Sequence, residues 1–287
     1  MRSFGALMRL IRWPNCLITV LAVIATLFLL PASPSLTIIC FASLAAVMIT
    51  GYGNIFNDLV DLEADRINHP ERPLPAGQIR VSSAKLWMFA FLLIGLALAS
   101  RISHNSFLIA ALIAAMLFMY NVFAKKVPLL SNLWIALIGL FTFVYAGYAG
   151  PSYKLWELNL ANAGGIFAFL FHLGREIIKD LQDIEGDKAA NIKTLANTCP
   201  RIIPKLIATS AYIMLFGFAV LLYVFLKPGS LFVVIFILGI FVPATAVLVL
   251  LWKSDTQNEY RKISAVLKAL MPVGLAALLA ARFQVSP

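Results

Sequence analysis

The sequence predicts an all-α integral membrane protein in which nine transmembrane helices pack as a bundle. Three observations predict it. The 287 residues are 61% hydrophobic and 13% charged, with a mean hydropathy of +0.90; a soluble domain carries roughly a quarter charged residues. Apolar stretches of spanning length, about 17–25 residues, recur along the whole chain. Lys and Arg fall almost entirely on one side of the topology that these stretches define.

The spans are read in order. The first covers 15–32, an apolar run that opens a series reaching the C-terminus and so differs from a lone signal peptide. The second covers 37–57 and ends on Asn57. Spans three and four, 84–101 and 106–124, follow a loop stiffened by Arg72-Pro-Leu-Pro-Ala-Gly77. Spans five and six cover 131–150 and 160–179. The seventh and eighth, 203–226 and 230–252, are separated by Pro228-Gly229, and the ninth covers 263–282. Pro243 and Pro272 fall inside predicted spans, where neighbouring helices can satisfy the freed carbonyls. The whole chain, 1–287, reads as a single polytopic unit.

Of the 23 Lys and Arg, only Arg101, Lys154, Lys227 and Arg282 fall on the sparse side. The positive-inside rule therefore puts the N-terminus and the loops after spans two, four, six and eight in the cytoplasm, on a multi-pass protein of the cell membrane. The net charge of +10 is then a topology signal whose natural partners are anionic membrane lipids, and nucleic-acid binding is not indicated. Cys16, Cys40 and Cys199 are far apart and odd in number, with no zinc spacing and no disulfide framework.

Acidic residues are distributed very differently. Ten of the thirteen sit in two short segments, each at the end of an apolar run. The first is Asn57-Asp58-x-x-Asp61-x-x-x-Asp65, with Glu63 and Glu71; the second is Asp180-x-x-Asp183-x-x-x-Asp187, with Glu176 and Glu185. Carboxylates recurring at i, i+4 line one face of a helical turn. Two such charges about 4 Å apart interact at roughly 4 kcal/mol at an effective dielectric near 20, so they require protons or cations. All-oxygen sets of this kind suit Mg²⁺, which a carboxylate or two and a substrate's phosphates commonly hold together. A solvated helix cap explains one such residue but not two sets on one membrane face, where ionisable groups are costly. The second segment lacks the ligand order and glycine of an EF-hand, and His69, His104 and His172 are isolated, which suits structural roles. Basic residues interleave with the acids: Arg66 and Arg72 in the first loop, Lys125 and Lys126 after Tyr120 in the loop beyond span four, Arg175 and Lys179 within the second segment. Such groups can hold a diphosphate directly while Mg²⁺ bridges the rest.

These motifs resemble the UbiA superfamily of membrane prenyltransferases, whose pattern is Asn-Asp-x-x-Asp-x-x-x-Asp after the second helix and Asp-x-x-x-Asp after the sixth, on nine helices. The longer strings, Gly53 to Gly77 and Gly174 to Lys188, together with Arg12-Trp-Pro-Asn15, are most similar to the ether-lipid branch, whose members add a second geranylgeranyl chain to geranylgeranylglyceryl phosphate. The resemblance implies a bundle around a central apolar cavity and an allylic polyprenyl diphosphate donor with a lipophilic acceptor. It implies Mg²⁺ held by Asn57, Asp61 and Asp65 on one side and Asp183 and Asp187 on the other, with Asp58 and Asp180 as further ligands or supports. Asp61, Asp183, Lys125 and Lys126 are the expected catalytic groups. Arg12, Asn15, Arg66, Arg72, Tyr120, Arg175 and Lys179 are the expected substrate contacts. An aromatic quinone precursor or a chlorophyllide-type pigment is the alternative acceptor. A cation-coupled transporter is the alternative outside enzymes; it calls for mid-span acids and an inverted repeat, whereas these acids sit at helix ends in a same-sense repeat.

Overall fold

The computed structural model describes residues 2–32 and 34–283, and among these every regular element is helical. Apolar side chains on nearly all faces, with backbone bonds closed inside each segment, make helices the stable solution in lipid. The chain runs α1 (Arg2–Leu10), α2 (Trp13–Leu29), α3 (Leu36–Val60), α4 (Leu62–Asn68), α5 (Val81–Ser100), α6 (His104–Val122), α7 (Leu130–Ala149) and α8 (Leu160–Gln182). The short α9 (Ile184–Ala189) and α10 (Leu195–Thr198) lead to α11 (Ile202–Leu226), α12 (Ser230–Phe236), α13 (Val242–Lys253) and α14 (Gln257–Ala280).

Among the described residues, seven helical segments are long and apolar enough to cross a membrane, and the bent pair α1–α2 makes eight. The one expected span left over, the sixth at 160–179, corresponds to α8, which has the length but carries Asn162, His172, Arg175 and Glu176. The expected boundaries also shift. The first span is preceded by α1, and the two meet at 61°. Arg12 at the break adopts φ 54°, ψ 60°, a left-handed conformation that costs a non-glycine residue roughly 1–2 kcal/mol. The span expected at 230–252 is interrupted by a π-helical turn, Ile237–Phe241, because Pro243 cannot donate to the ladder and its ring crowds the preceding turn. The last helix begins at Gln257, ahead of the expected 263, capped by Thr256 and Glu259 in a reciprocal box.

Successive long helices pack on one another, and α14 returns to α2, closing a ring in which α7 and α8 are central. One apolar core joins α2, α3, α5, α6 and α7, and a second joins α8, α11, α13 and α14. Helices α4 and α9, the continuations of the two acidic segments, contact each other across one end of the ring.

Candidate active site

Each acidic segment is built in the same way. A long helix stops at an aspartate, Asp61 or Asp183, and a short helix restarts from it. The break turns the next aspartate, Asp65 or Asp187, toward the facing segment. Asn68 fastens the two together. Its Nδ2 donates to the Asp183 carbonyl at 3.0 Å, and its Oδ1 accepts from the Gly186 N–H at 3.0 Å. A Cβ on Gly186 would lie 2.7 Å from that Oδ1, so the close approach requires glycine.

The resulting cavity, about 610 Å³ including its open mouth, is lined by Asn57, Asp61, Asp65, Tyr120, Lys125, Lys179, Asp180, Asp183 and Asp187 together with His69, Arg72, Asn132 and Glu176. Basic residues hold the acids. Lys125 pairs with Asp61 and lies 5.8 Å over the Tyr120 ring. Arg72 grips both oxygens of Asp65 at 2.5 and 2.6 Å. His69 approaches Asp183 at 3.4 Å, and Asn132 donates to Asp180 at 2.9 Å. Burial raises the pKa of Asp65, Asp58 and Asp61 add to the rise, and Arg72 opposes it. Asp183 is also buried, but His69 and Lys179 outweigh this and hold its pKa below the ordinary value. Asp187 is pushed up to about 7 by burial and by the charge of Asp183.

Among the described residues no three His, Cys, Asp or Glu side chains converge into a metal cage, because cations of the protein separate the acids. The residues nonetheless fit Mg²⁺. Their donors are oxygens, and the Asp61 Oδ1 is buried without a hydrogen-bond partner, leaving one carboxylate oxygen free for a cation.

Further in, a central chamber of about 1600 Å³ shares Asn57, Arg72, Tyr120, Glu176 and Lys179 with the acidic cavity and adds Arg12, Asn15, Arg175 and Lys268. It shares Ile18, Ala22, Phe143, Ala168 and His172 with an apolar chamber of about 680 Å³. The polar end and the apolar interior thus adjoin through common walls. Of the aromatics on the predicted spans, Tyr120 lines the acidic cavity, and Phe143, Phe167, Phe171, Phe232 and Phe236 line the apolar chamber.

Three sequence-predicted residues are not brought to these cavities. Asp58 is buried behind the wall, bonded to Arg12 and 3.7 Å from Arg72. Of the two roles expected for it, ligand or support, its place beside those arginines fits support. Arg66 points outward, pairs with Glu63 at 3.0 Å and is 58% exposed. Lys126 is exposed on the short 3₁₀ turn Ala124–Lys126, whose turn puts Lys125 inward instead. Conversely, Asn68, His69, His172 and Lys268 gain places that their lone positions in the sequence did not signal. Asn68 lies only three residues past Asp65, and that proximity was the one available sign.

A family model described as the UbiA prenyltransferase family matches residues 16–271. The chain belongs to the UbiA prenyltransferase family. It is a multi-pass membrane protein, as its apolar helices and this family indicate. Among relatives, it is 37% identical over 157 residues to digeranylgeranylglyceryl phosphate synthase of Methanosphaera stadtmanae, covering 55% of this chain and 56% of that protein. The match thus spans little more than half of that relative's length. A solved structure concerned with digeranylgeranylglyceryl phosphate synthase in membranes aligns with a TM-score of 0.74 and 26% identity, over 99% of this chain and 100% of that one. A UbiA homologue from Archaeoglobus fulgidus, bound to DMAPP and Mg²⁺, aligns with a TM-score of 0.60 and 21% identity over 95% and 98% of the two chains. This last likeness is one of fold.

Proposed function

We propose that this UbiA-family chain transfers a polyprenyl group, geranylgeranyl by preference, from an allylic diphosphate to geranylgeranylglyceryl phosphate, giving an ether-lipid precursor and diphosphate. One observation carries the reading. Asp61 and Asp65 from one segment and Asp183 and Asp187 from the other face a single cavity, and that cavity adjoins an apolar interior. The relatives named above support the choice of acceptor.

Asn57, Asp61, Asp65, Asp183 and Asp187 would hold Mg²⁺, with Asp180 in support. Bound there, the metal supplies Lewis-acid stabilisation of the departing diphosphate. Lys125, Arg72 and Lys179 contact the diphosphate oxygens and stabilise the charge that grows on them. The Lys125 ammonium has three N–H donors, of which Asp61 takes one, so others can reach a phosphate oxygen. The allylic C–O bond breaks, its electron pair leaving with the diphosphate. The acceptor hydroxyl oxygen forms the new C–O bond, and its proton passes to a cavity carboxylate. The apolar chamber, lined by Phe167 and Phe171 among others, takes the prenyl tail and keeps water from the electron-poor allylic carbon. The excess of Lys and Arg on the loops around the site supports a cytoplasmic-facing site in the cell membrane.

The test is direct. Purified full-length protein with Mg²⁺ and geranylgeranyl diphosphate is offered geranylgeranylglyceryl phosphate, 4-hydroxybenzoate, dihydroxynaphthoate and a chlorophyllide in parallel. Preferential formation of the diether phosphate is expected; preference for an aromatic acid overturns the assignment of acceptor.

A further inference from the structure

The central chamber carries charge that the diphosphate end does not use. Its arginine, lysine and carboxylate lining consists of Arg12, Arg72, Arg175, Lys179 and Lys268 against Glu176 alone. Arg72 and Lys179 also reach the acidic cavity, whereas Arg12, Arg175 and Lys268 do not. Arg12 is paired with Asp58, and Arg175 with Glu176 at 2.7 Å, a carboxylate that Lys179 shares at 3.6 Å. Lys268 has neither an ion pair nor a hydrogen bond among the described residues.

The placement of Lys268 is costly. Lys268 lies inside the span expected at 263–282, about 8 Å from its start at about 1.5 Å per residue. A lysine at such depth in a spanning helix is rare unless it faces a polar cavity or a ligand. Here it faces the chamber alongside the buried Ser264. Like-charged neighbours that outnumber their counter-ions repel in a partly dry chamber, and an anionic ligand removes that repulsion.

We propose that Lys268, with Arg12 and Arg175, forms a second anion subsite that takes the monophosphate of the acceptor lipid, apart from the diphosphate end. This rests on the ether-lipid reading above. The chemistry favours this division. A donor diphosphate at the carboxylate-rich end needs metal to offset the acids, whereas a phosphate monoester suits a chamber that is already cationic. In a glycerol phosphate ether the reacting hydroxyl is on the carbon next to the phosphate-bearing one. A phosphate seated in the central chamber therefore keeps that hydroxyl at the junction with the acidic cavity, where Arg72 and Lys179 line both.

The test uses the full-length protein in lipid nanodiscs, without Mg²⁺ or donor, and measures binding of geranylgeranylglyceryl phosphate and of geranylgeranylglycerol, its alcohol. Wild type is expected to bind the phosphate about tenfold or more tightly than the alcohol, as the loss of one charge-assisted contact implies. Lys268→Met should erase most of that preference, Lys268→Arg should restore part of it, and neither should change binding of geranylgeranyl diphosphate with Mg²⁺. Equal binding of the two acceptors by wild type overturns the subsite. So does a Lys268→Met effect that falls equally on phosphate and alcohol, or on the donor. Turnover is measured separately. Phosphate preference that depends on Lys268, without diether formation, upholds the subsite while removing the ether-lipid reading.

Discussion

Gly186→Ala tests the fastening between the two acidic segments. The added methyl meets the Asn68 carboxamide, 2.7 Å from its Oδ1, and the surrounding backbone of α9 leaves Asn68 as the group that must move. Moving it breaks two hydrogen bonds of 3.0 Å each, to the Asp183 carbonyl and from the Gly186 N–H. At about 0.5–1.5 kcal/mol per bond, roughly 1–3 kcal/mol of coupling between α4 and α9 is lost. If that coupling holds Asp65 and Asp187 in register for the metal, the Mg²⁺ concentration for half-maximal turnover rises about 5- to 150-fold, since 1.4 kcal/mol is tenfold. The assay is a Mg²⁺ titration of prenyl transfer at saturating donor and acceptor, run as a double-mutant cycle with Asn68→Ala. Asn68→Ala alone should raise the Mg²⁺ requirement by a similar factor. In the Asn68→Ala background, Gly186→Ala should add little, because the carboxamide it displaces is gone. Equal effects of Gly186→Ala in both backgrounds would refute the reasoning and place the strain in the α9 backbone itself.

Other outcomes follow from the same geometry. Asp61→Ala and Asp183→Ala should abolish transfer while the proteins insert and fold, checked by monodisperse gel filtration; normal turnover of either variant with Mg²⁺ would sink the metal reading. Lys125→Met should lower kcat by about 10²–10³, the range for removing one preorganised donor to developing charge, with little change in the KM of the acceptor. Arg66→Ala should leave kcat and KM within about twofold and stability within about 0.5 kcal/mol, because its pair with Glu63 is solvent-facing. The Mg²⁺ requirement should also depend on pH. Burial and Asp183 raise the Asp187 pKa to about 7, so below that pH its carboxyl is neutral and must lose a proton to bind metal. The half-saturating Mg²⁺ concentration should therefore climb toward tenfold per unit as pH falls below about 7 and flatten above it. A flat profile from pH 5.5 to 8 in wild type would remove Asp187 from the ligand set.

Much of the site was legible before any fold. Asp61, Asp65, Asp183 and Asp187 stand at i, i+4 beside strongly apolar runs, a concentration of acid that singles them out as candidates. Lys125 was harder to separate from Lys126, since adjacent residues look equivalent until a 3₁₀ turn points one inward and the other to solvent. Asp58 belonged to the same motif as Asp61, yet its helix position turns it behind the cavity wall to Arg12. Arg66 shared the acidic loop with Arg72, but only Arg72 lies where the chain folds back toward Asp65. These distinctions depend on rotation about a helix axis and on where a turn falls, which a pattern of residue types specifies only to within a residue or two.

The two acid clusters, the apolar spans and the one-sided distribution of Lys and Arg are properties of short segments, and the sequence alone determined them. Hydropathy and charge act locally, within a span or a loop. What the tertiary structure decided was pairing at long range: Asn68 with Asp183 and Gly186 across more than a hundred residues, Arg12 with Asn57 and Asp58, and Lys268 turned into a chamber of other cations. Those contacts arise because ring closure between α2 and α14 and the meeting of α4 with α9 bring distant segments together. No local preference of either partner encodes that meeting.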